Sequence, residues 1–146
     1  MASELSLSER GFQARFTPSP SGFSAEFYAH CARGELRFQR CAQCGAWRHL
    51  PRWLCPQCAS ARWSWERSNR RGRLFSWTVT HQVLHPAFAA DVPYVVAIAE
   101  LQEGVRLVAR LRGSRAGALA LGAPVCVDFE RVSDRVALPV FRLEAP

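Results

Sequence analysis

Lysine is missing from this chain: all 19 basic residues of its 146 are arginine. That excludes a P-loop lysine, a Schiff base to pyridoxal phosphate and a lysine general base. A G-x-S-x-G elbow and a G-x-G-x-x-G loop are also absent, and with them two common signatures of nucleophilic catalysis and dinucleotide binding. No apolar run approaches the ~18 residues of a membrane helix; the longest, PYVVAIA, is strand-sized. The opening MASELSLSER has neither the basic start nor the apolar middle of a signal peptide. A cytoplasmic location with no membrane contact is therefore expected. Thiols stay reduced there, so clustered cysteines argue for a metal over disulfides.

What is present is globular. Apolar residues make up 49% and charged residues 21%, values that exclude wholesale disorder. The length fits one domain, or one and a small appendage. A net charge of +7 invites a nucleic-acid reading. Arginine without lysine, beside abundant alanine, reads as coding bias in a GC-rich genome as much as selection for a polyanion.

The densest chemistry is CAQCGAWRHLPRWLCPQC, with Cys41, Cys44, Cys55 and Cys58 in two Cys-x-x-Cys pairs ten residues apart. Each pair puts two thiolates on one turn, and two turns complete a tetrahedral S4 site. Zinc is the default ion, with a single iron as the rival. Gly45 supplies the permissive backbone that a metal-binding turn needs. Four protein ligands leave no open coordination position, so the site is structural. Between the pairs stand Trp47 and Trp53. So small a ribbon cannot bury both rings, and they are candidate partner-interface residues.

Residues 1–22 are polar, end in TPSPSG and show no periodicity, which predicts a flexible or partner-docked arm. Residues 23–60 read as a helix capped by Ser24 and ended by Gly34, followed by the ribbon. Beyond Ser60 the period becomes two. Trp63 and Trp65 share a face, as do Phe75, Trp77, Val79 and Val83. YVVAIAEL is apolar on both faces, Gln102-Glu103-Gly104 is a tight hairpin, and VRLVARL alternates with Val105, Leu107, Ala109 and Leu111 inward. With PVCVDFERV and ALPVFRL, residues 61–146 make five strands with a short helical connection after the third. The expected fold is mainly β: an N-terminal helix and zinc ribbon, then a five-stranded OB-fold barrel, with a plain β-sandwich as the alternative.

In order and spacing the pieces FYAHCARGELRFQRC, C-x-x-C-G, LPR before C-P-x-C, GRLFSWTVTH, PYVVAIAELQEGVRLVARLRG, LGAPVCVDFE and PVF resemble one family. It comprises small acyl-CoA-associated proteins with a rubredoxin-like zinc ribbon followed by an OB-fold. The resemblance spans roughly Phe27 to Phe141; Leu50-Pro51-Arg52 stands where Pro-Pro-Arg is usual. It implies a non-catalytic subunit of a thiolase-superfamily enzyme, such as a thiolase, retro-aldolase or carbon–carbon-forming acyltransferase. Such a subunit helps to shape the partner's acyl-CoA channel. Other members accompany or are fused to hot-dog-fold hydratases; with no hydratase domain fused here, a separate thiolase-like partner is expected.

If acyl-CoA is a shared ligand, its phosphates suit guanidinium forks. Arg67, Arg70, Arg71 and Arg73 around SNRRGR are the first candidates, since the turn also offers backbone N–H groups. Arg106, Arg110 and Arg112 come second; a solvated basic surface is the plain alternative for both clusters. Cys31 fits a helix core face, and Cys126 shares a strand face with Asp128 and Glu130, a poor setting for a nucleophile. His30 and His49 are read as surface residues; His81 and His85 flank the long loop. The rival function is a single-stranded nucleic-acid module, for which Phe75 and Trp77 would stack bases. Apolar strands where a polar groove is needed count against it.

Overall fold

The computed structural model describes residues 18–113 and 116–144. Most of the expected N-terminal arm, residues 1–17, lies outside them. The helix α1 spans Gly22–Ala32 and its N-cap is Ser21, not Ser24, which falls within the first turn. Gly34 follows the helix in the left-handed region at φ 75°, where its N–H closes onto the Cys31 carbonyl at 2.9 Å. Phe27 and Cys31, one turn apart, are buried against the rest of the protein.

Three short strands follow: β1 (Arg37–Cys41), β2 (Trp47–Arg48) and β3 (Trp63–Arg67). They form an antiparallel sheet in the order β2-β1-β3, with Cys41 opposite Trp63 and Arg37 opposite Arg67. The ribbon's sheet thus runs past Ser60 and takes WSWER from the segment assigned by sequence to the barrel. Cross-strand pairing with RFQRC claims it.

The remaining strands are β4 (Arg71–Thr80), β5 (Tyr94–Leu101), β6 (Arg106–Arg112), β7 (Pro124–Arg131) and β8 (Ala137–Leu143). They close a barrel in the order β4-β5-β6-β8-β7, antiparallel except where β6 meets β8, the five-stranded topology of an OB-fold. The connection after the third barrel strand carries a 3-10 turn, Ala116–Ala118. Val105, Leu107, Ala109 and Leu111 point inward as the alternation requires. In β5 the inward set is Val95, Ala97, Ala99 and Leu101, and the outward Val96 and Ile98 are half-buried. The hairpin turn closes at Gly104, φ 82°.

One reading of β4 fails. Leu74 pairs with Ala99 and Trp77 with Ala97, so three steps on β4 oppose two on β5, a β-bulge at Phe75-Ser76. Leu74 and Trp77 therefore face the core, while Phe75 turns out and is 45% exposed; Val83, beyond the strand, is equally exposed. A single extra residue moves Phe75 to the opposite face from Trp77. Leu36, Phe38, Leu74, Val125, Phe141 and the helix residues Phe27 and Cys31 belong to one continuous core joining α1, the ribbon sheet and the barrel.

Candidate functional site: the cysteine cluster and its surroundings

The two knuckles are built alike. Each opens on a cysteine whose carbonyl accepts an N–H from the residue four positions on: Gly45 to Cys41 at 3.0 Å, Ala59 to Cys55 at 2.9 Å. The four Sγ atoms lie within 4.8 Å of one another, and the pairs Cys41–Cys58 and Cys44–Cys55 are 3.6 Å apart. With metal–sulfur bonds of about 2.3 Å, sulfurs at tetrahedral corners stand about 3.8 Å apart, so the spacing fits a zinc ion. Backbone N–H groups of Cys44 and Gln43 aim at Cys41, and hold its thiol down to about 6. Those of Cys58 and Gln57 lower Cys55 in the same way. Cys58 receives an N–H from Ser60 that favours the thiolate, yet desolvation and the three neighbouring thiols push it up to about 12. Four thiolates this close need a cation between them. Zn²⁺ held by Cys41, Cys44, Cys55 and Cys58 would supply that charge and tie the two knuckles together; with every ligand from the protein, such a site would be structural.

The other cysteines stand apart from this cluster. Cys31 is buried in the helix–barrel core, and desolvation pushes its thiol up to about 12, which makes it inert. Cys126 is on the outward face of β7. His30 is partly exposed, with its ring 5.4 Å from Trp65. His49 is not a surface residue. Its ring packs 5.2 Å from both Phe27 and Phe38, and burial takes its pKa down to about 4. The bare sequence could not reveal this, because the aromatic neighbours lie 22 and 11 positions away.

The two ribbon tryptophans divide. Trp47 is half-buried against the core, with the Arg40 guanidinium 5.2 Å from its ring. Trp53 is 75% exposed; its ring meets Phe23 at 4.5 Å. Phe23 in turn touches Trp63, and Trp63 touches Trp65 edge to face, so the shared face of those two tryptophans is real. Trp65 Nε1 donates to Glu26 at 2.6 Å and ties β3 to the helix.

The arginines of SNRRGR do not share a partner. Arg67 pairs with Glu35 at 2.8 Å, Arg71 with Glu144 at 3.2 Å, and Arg73 donates to the Gly122 carbonyl at 3.0 Å. Arg70, at φ 66°, lies 5.9 Å from the Phe129 ring. Nor does the turn offer free N–H groups. Those of Arg70 and Arg71 go to the Ser68 and Asn69 side chains, that of Asn69 to Glu103, and that of Ser68 to the Leu36 carbonyl. The second cluster is likewise paired: Arg106 with Glu100, Arg110 with Asp91, and Arg112 with Glu130. On the long loop His81 and His85 are exposed, and His85 Nδ1 accepts from Ala87 N at 3.1 Å, capping the turn Pro86–Phe88. No helix among the described residues is long and apolar enough to cross a membrane.

Residues 29–64 match the family described as "ChsH2, rubredoxin-like zinc ribbon domain", and residues 65–130 match "ChsH2, C-terminal OB-fold domain". A chain of a solved structure titled "Ltp2-ChsH2(DUF35) aldolase" is 37% identical, with a TM-score of 0.79 over 87% of this chain and 98% of that one. The "Probable enoyl-CoA hydratase alpha subunit" of Thermomonospora curvata is 37% identical over 129 residues, 88% of this chain and 40% of that protein. A "DUF35 domain-containing scaffold protein" of Methanocaldococcus jannaschii is 28% identical over 96 residues, 65% of this chain and 67% of that one. The chain thus spans about two fifths of the curated hydratase subunit it matches. With its metal knuckles, barrel order and both domain matches in agreement, the chain belongs to the ChsH2 family of rubredoxin-like zinc ribbons joined to an OB-fold.

Proposed function

We propose that this chain is a non-catalytic accessory subunit that binds a thiolase-superfamily enzyme and helps to form that enzyme's acyl-CoA channel. The observation that carries the reading is the likeness, over 98% of the matched chain, to a component of the Ltp2-ChsH2 aldolase. The scaffold naming of the Methanocaldococcus jannaschii relative points the same way. Chemistry within the chain supports it. Four cysteines would close the coordination shell of a bound metal, and the buried Cys31 thiol is held protonated. Arg67, Arg70, Arg71 and Arg73 remain the positions proposed for the CoA phosphates. Arg71 leads, since its side chain is 62% exposed and bound only to a surface carboxylate.

The hydratase relative favours a second reading: the same accessory role beside a hot-dog-fold acyl-CoA hydratase. A single-stranded nucleic-acid module is less well supported, because seven arginines are already paired with six carboxylates instead of forming an open phosphate track. The test is reconstitution. A thiolase-superfamily enzyme from the same host should turn over its acyl-CoA at least tenfold faster with this chain than without it, and the chain alone should be inactive. Equal turnover in both conditions would refute the role.

A further inference from the structure

Within the ribbon, residues 50–54 expose Leu50 by 66%, Trp53 by 75% and Leu54 by 54%. Their loop is clamped from inside. Gln39 is completely buried, and its Oε1 accepts from Arg48 Nε at 2.7 Å and from the Arg52 backbone N at 2.8 Å. Arg48, only 6% exposed, donates from Nη2 to the Arg52 carbonyl at 3.0 Å. Both backbone polar groups of the loop's middle residue are thus fixed by two buried side chains. A buried guanidinium is a costly device, and this clamp leaves Gln39 Nε2 and Arg48 Nη1 buried without a hydrogen-bond partner among the described residues. Polar burial that holds three apolar side chains out in water is explained if that surface is covered in the working protein.

The apolar surface does not end at the loop. Leu50 and Pro51 share a cleft of about 280 Å³ with Val108 and Arg106 of β6. Val108 is 60% exposed, and the Arg106 guanidinium lies 3.7 Å over the ring of Phe75, which the bulge turned outward. Leu50 thus faces Val108 across the cleft, with Phe75 beneath Arg106 beyond it and Trp53 three residues on in the same loop, an apolar stripe from ribbon to barrel. The ribbon segment itself is basic. No carboxylate occurs between Glu35 and Glu66, a stretch with five arginines, of which Arg40, Arg52 and Arg62 are exposed.

We propose that this stripe docks a protein: the face of an enzyme subunit that offers an apolar socket rimmed with carboxylates. Trp53, Leu50 and Val108 are the anchors, and Gln39 and Arg48 are positioning residues that hold the loop ready. The assignment rests on the accessory-subunit reading and names the surface that reading needs. A nucleic-acid strand fits poorly, because aliphatic side chains dominate, Phe23 packs against Trp53, and Arg106 already has Glu100 and Phe75.

Site-specific photocrosslinking in the tagged full chain, expressed in its native host, tests this. A benzophenone amino acid replaces Trp53 in one variant and Leu121, 74% exposed in the β6–β7 connection, in another. The expected product is a crosslink from position 53, and none from position 121, to the thiolase-superfamily enzyme that co-purifies with the unmodified chain. If that enzyme co-purifies but crosslinks only from position 121, the docking surface is wrong and the accessory role stands. If no such enzyme co-purifies, both fall; crosslinked nucleic acid overturns the docking proposal as well. With the purified complex, Trp53→Ala and Arg52→Glu should each weaken association tenfold or more. The loss from Arg52→Glu should shrink at high salt. Arg48→Met should weaken the wild-type complex severalfold but add little once Trp53 is alanine. Additive losses would remove the positioning role.

Discussion

Ala59 stands where Gly45 stands. Both are the residue after a Cys-x-x-Cys pair, both donate an N–H to the first cysteine's carbonyl, and both have left-handed backbone, φ 58° and 75°. Only the second knuckle carries a Cβ there. An L-residue in that region costs about 1–2 kcal/mol, partly offset by glycine's greater freedom when unfolded. Ala59→Gly should therefore stabilise the metal-loaded protein by about 0.5–1 kcal/mol, read as a raised melting temperature. Gly45→Ala should lose a similar amount by strain alone, since its Cβ would meet nothing nearer than Arg40 Nη2 at 3.9 Å. A destabilised Ala59→Gly would contradict the matched-knuckle geometry.

Loss of one ligand opens the cluster. Cys41→Ser removes a thiolate held by two backbone N–H donors and should release the metal, with the melting temperature falling by ten degrees or more. Bound metal measured by elemental analysis is expected to be zinc, one ion per chain and colourless. A visible thiolate-to-iron absorption would assign iron in its place, and unchanged metal content in Cys41→Ser would refute the ligand set.

Acid should destabilise the protein through His49. Its folded pKa, about 4, lies below the ordinary 6.5, so the unfolded chain takes up the proton first. Stability from the neutral, half-buried ring is complete above about pH 6.5 and is lost as pH falls toward 4. At pH 5 the loss is about 2 kcal/mol relative to pH 7. His49→Phe, a ring of similar size between Phe27 and Phe38, should lack this component. Urea unfolding of both proteins at pH 7 and pH 5 measures the difference, since acid release of the metal acts on both. Equal pH slopes would place His49 in solvent.

Gly72 sits where a Cβ has no room between two barrel strands. It pairs with Leu101 on one side and Val125 on the other, and a Cβ there would lie 2.5 Å from the Glu100 carbonyl oxygen. Backbone cannot yield as a side-chain tip can, so Gly72→Ala should cost roughly 1–3 kcal/mol, seen as a lower urea midpoint with metal content unchanged. An unaltered midpoint would mean that the strands are more loosely packed than the structure has them.

These cases also show what a sequence discloses. The knuckles were legible because two residues between cysteines fix local geometry, and β6 was legible because its alternation is strict. Phe75 was misplaced because an extra residue at a bulge inverts every later side chain, and only pairing with Ala97 and Ala99 reveals it. WSWER looks like any amphipathic strand; whether it joins ribbon or barrel depends on RFQRC across the sheet. His49 and the Gln39–Arg48 clamp are tertiary facts, set by contacts between distant residues. The run from Leu36 to Trp65 without a carboxylate was a visible signal that could have pointed to the ribbon's tip.

The accessory role is tested most directly by purifying the tagged chain from its native host under gentle conditions. The co-purifying proteins and the absorbance ratio at nucleic-acid wavelengths are read together. The expected result is a thiolase-superfamily enzyme in near-equal amount and an absorbance ratio of pure protein. Nucleic acid in place of such an enzyme, or the chain alone, would contradict it.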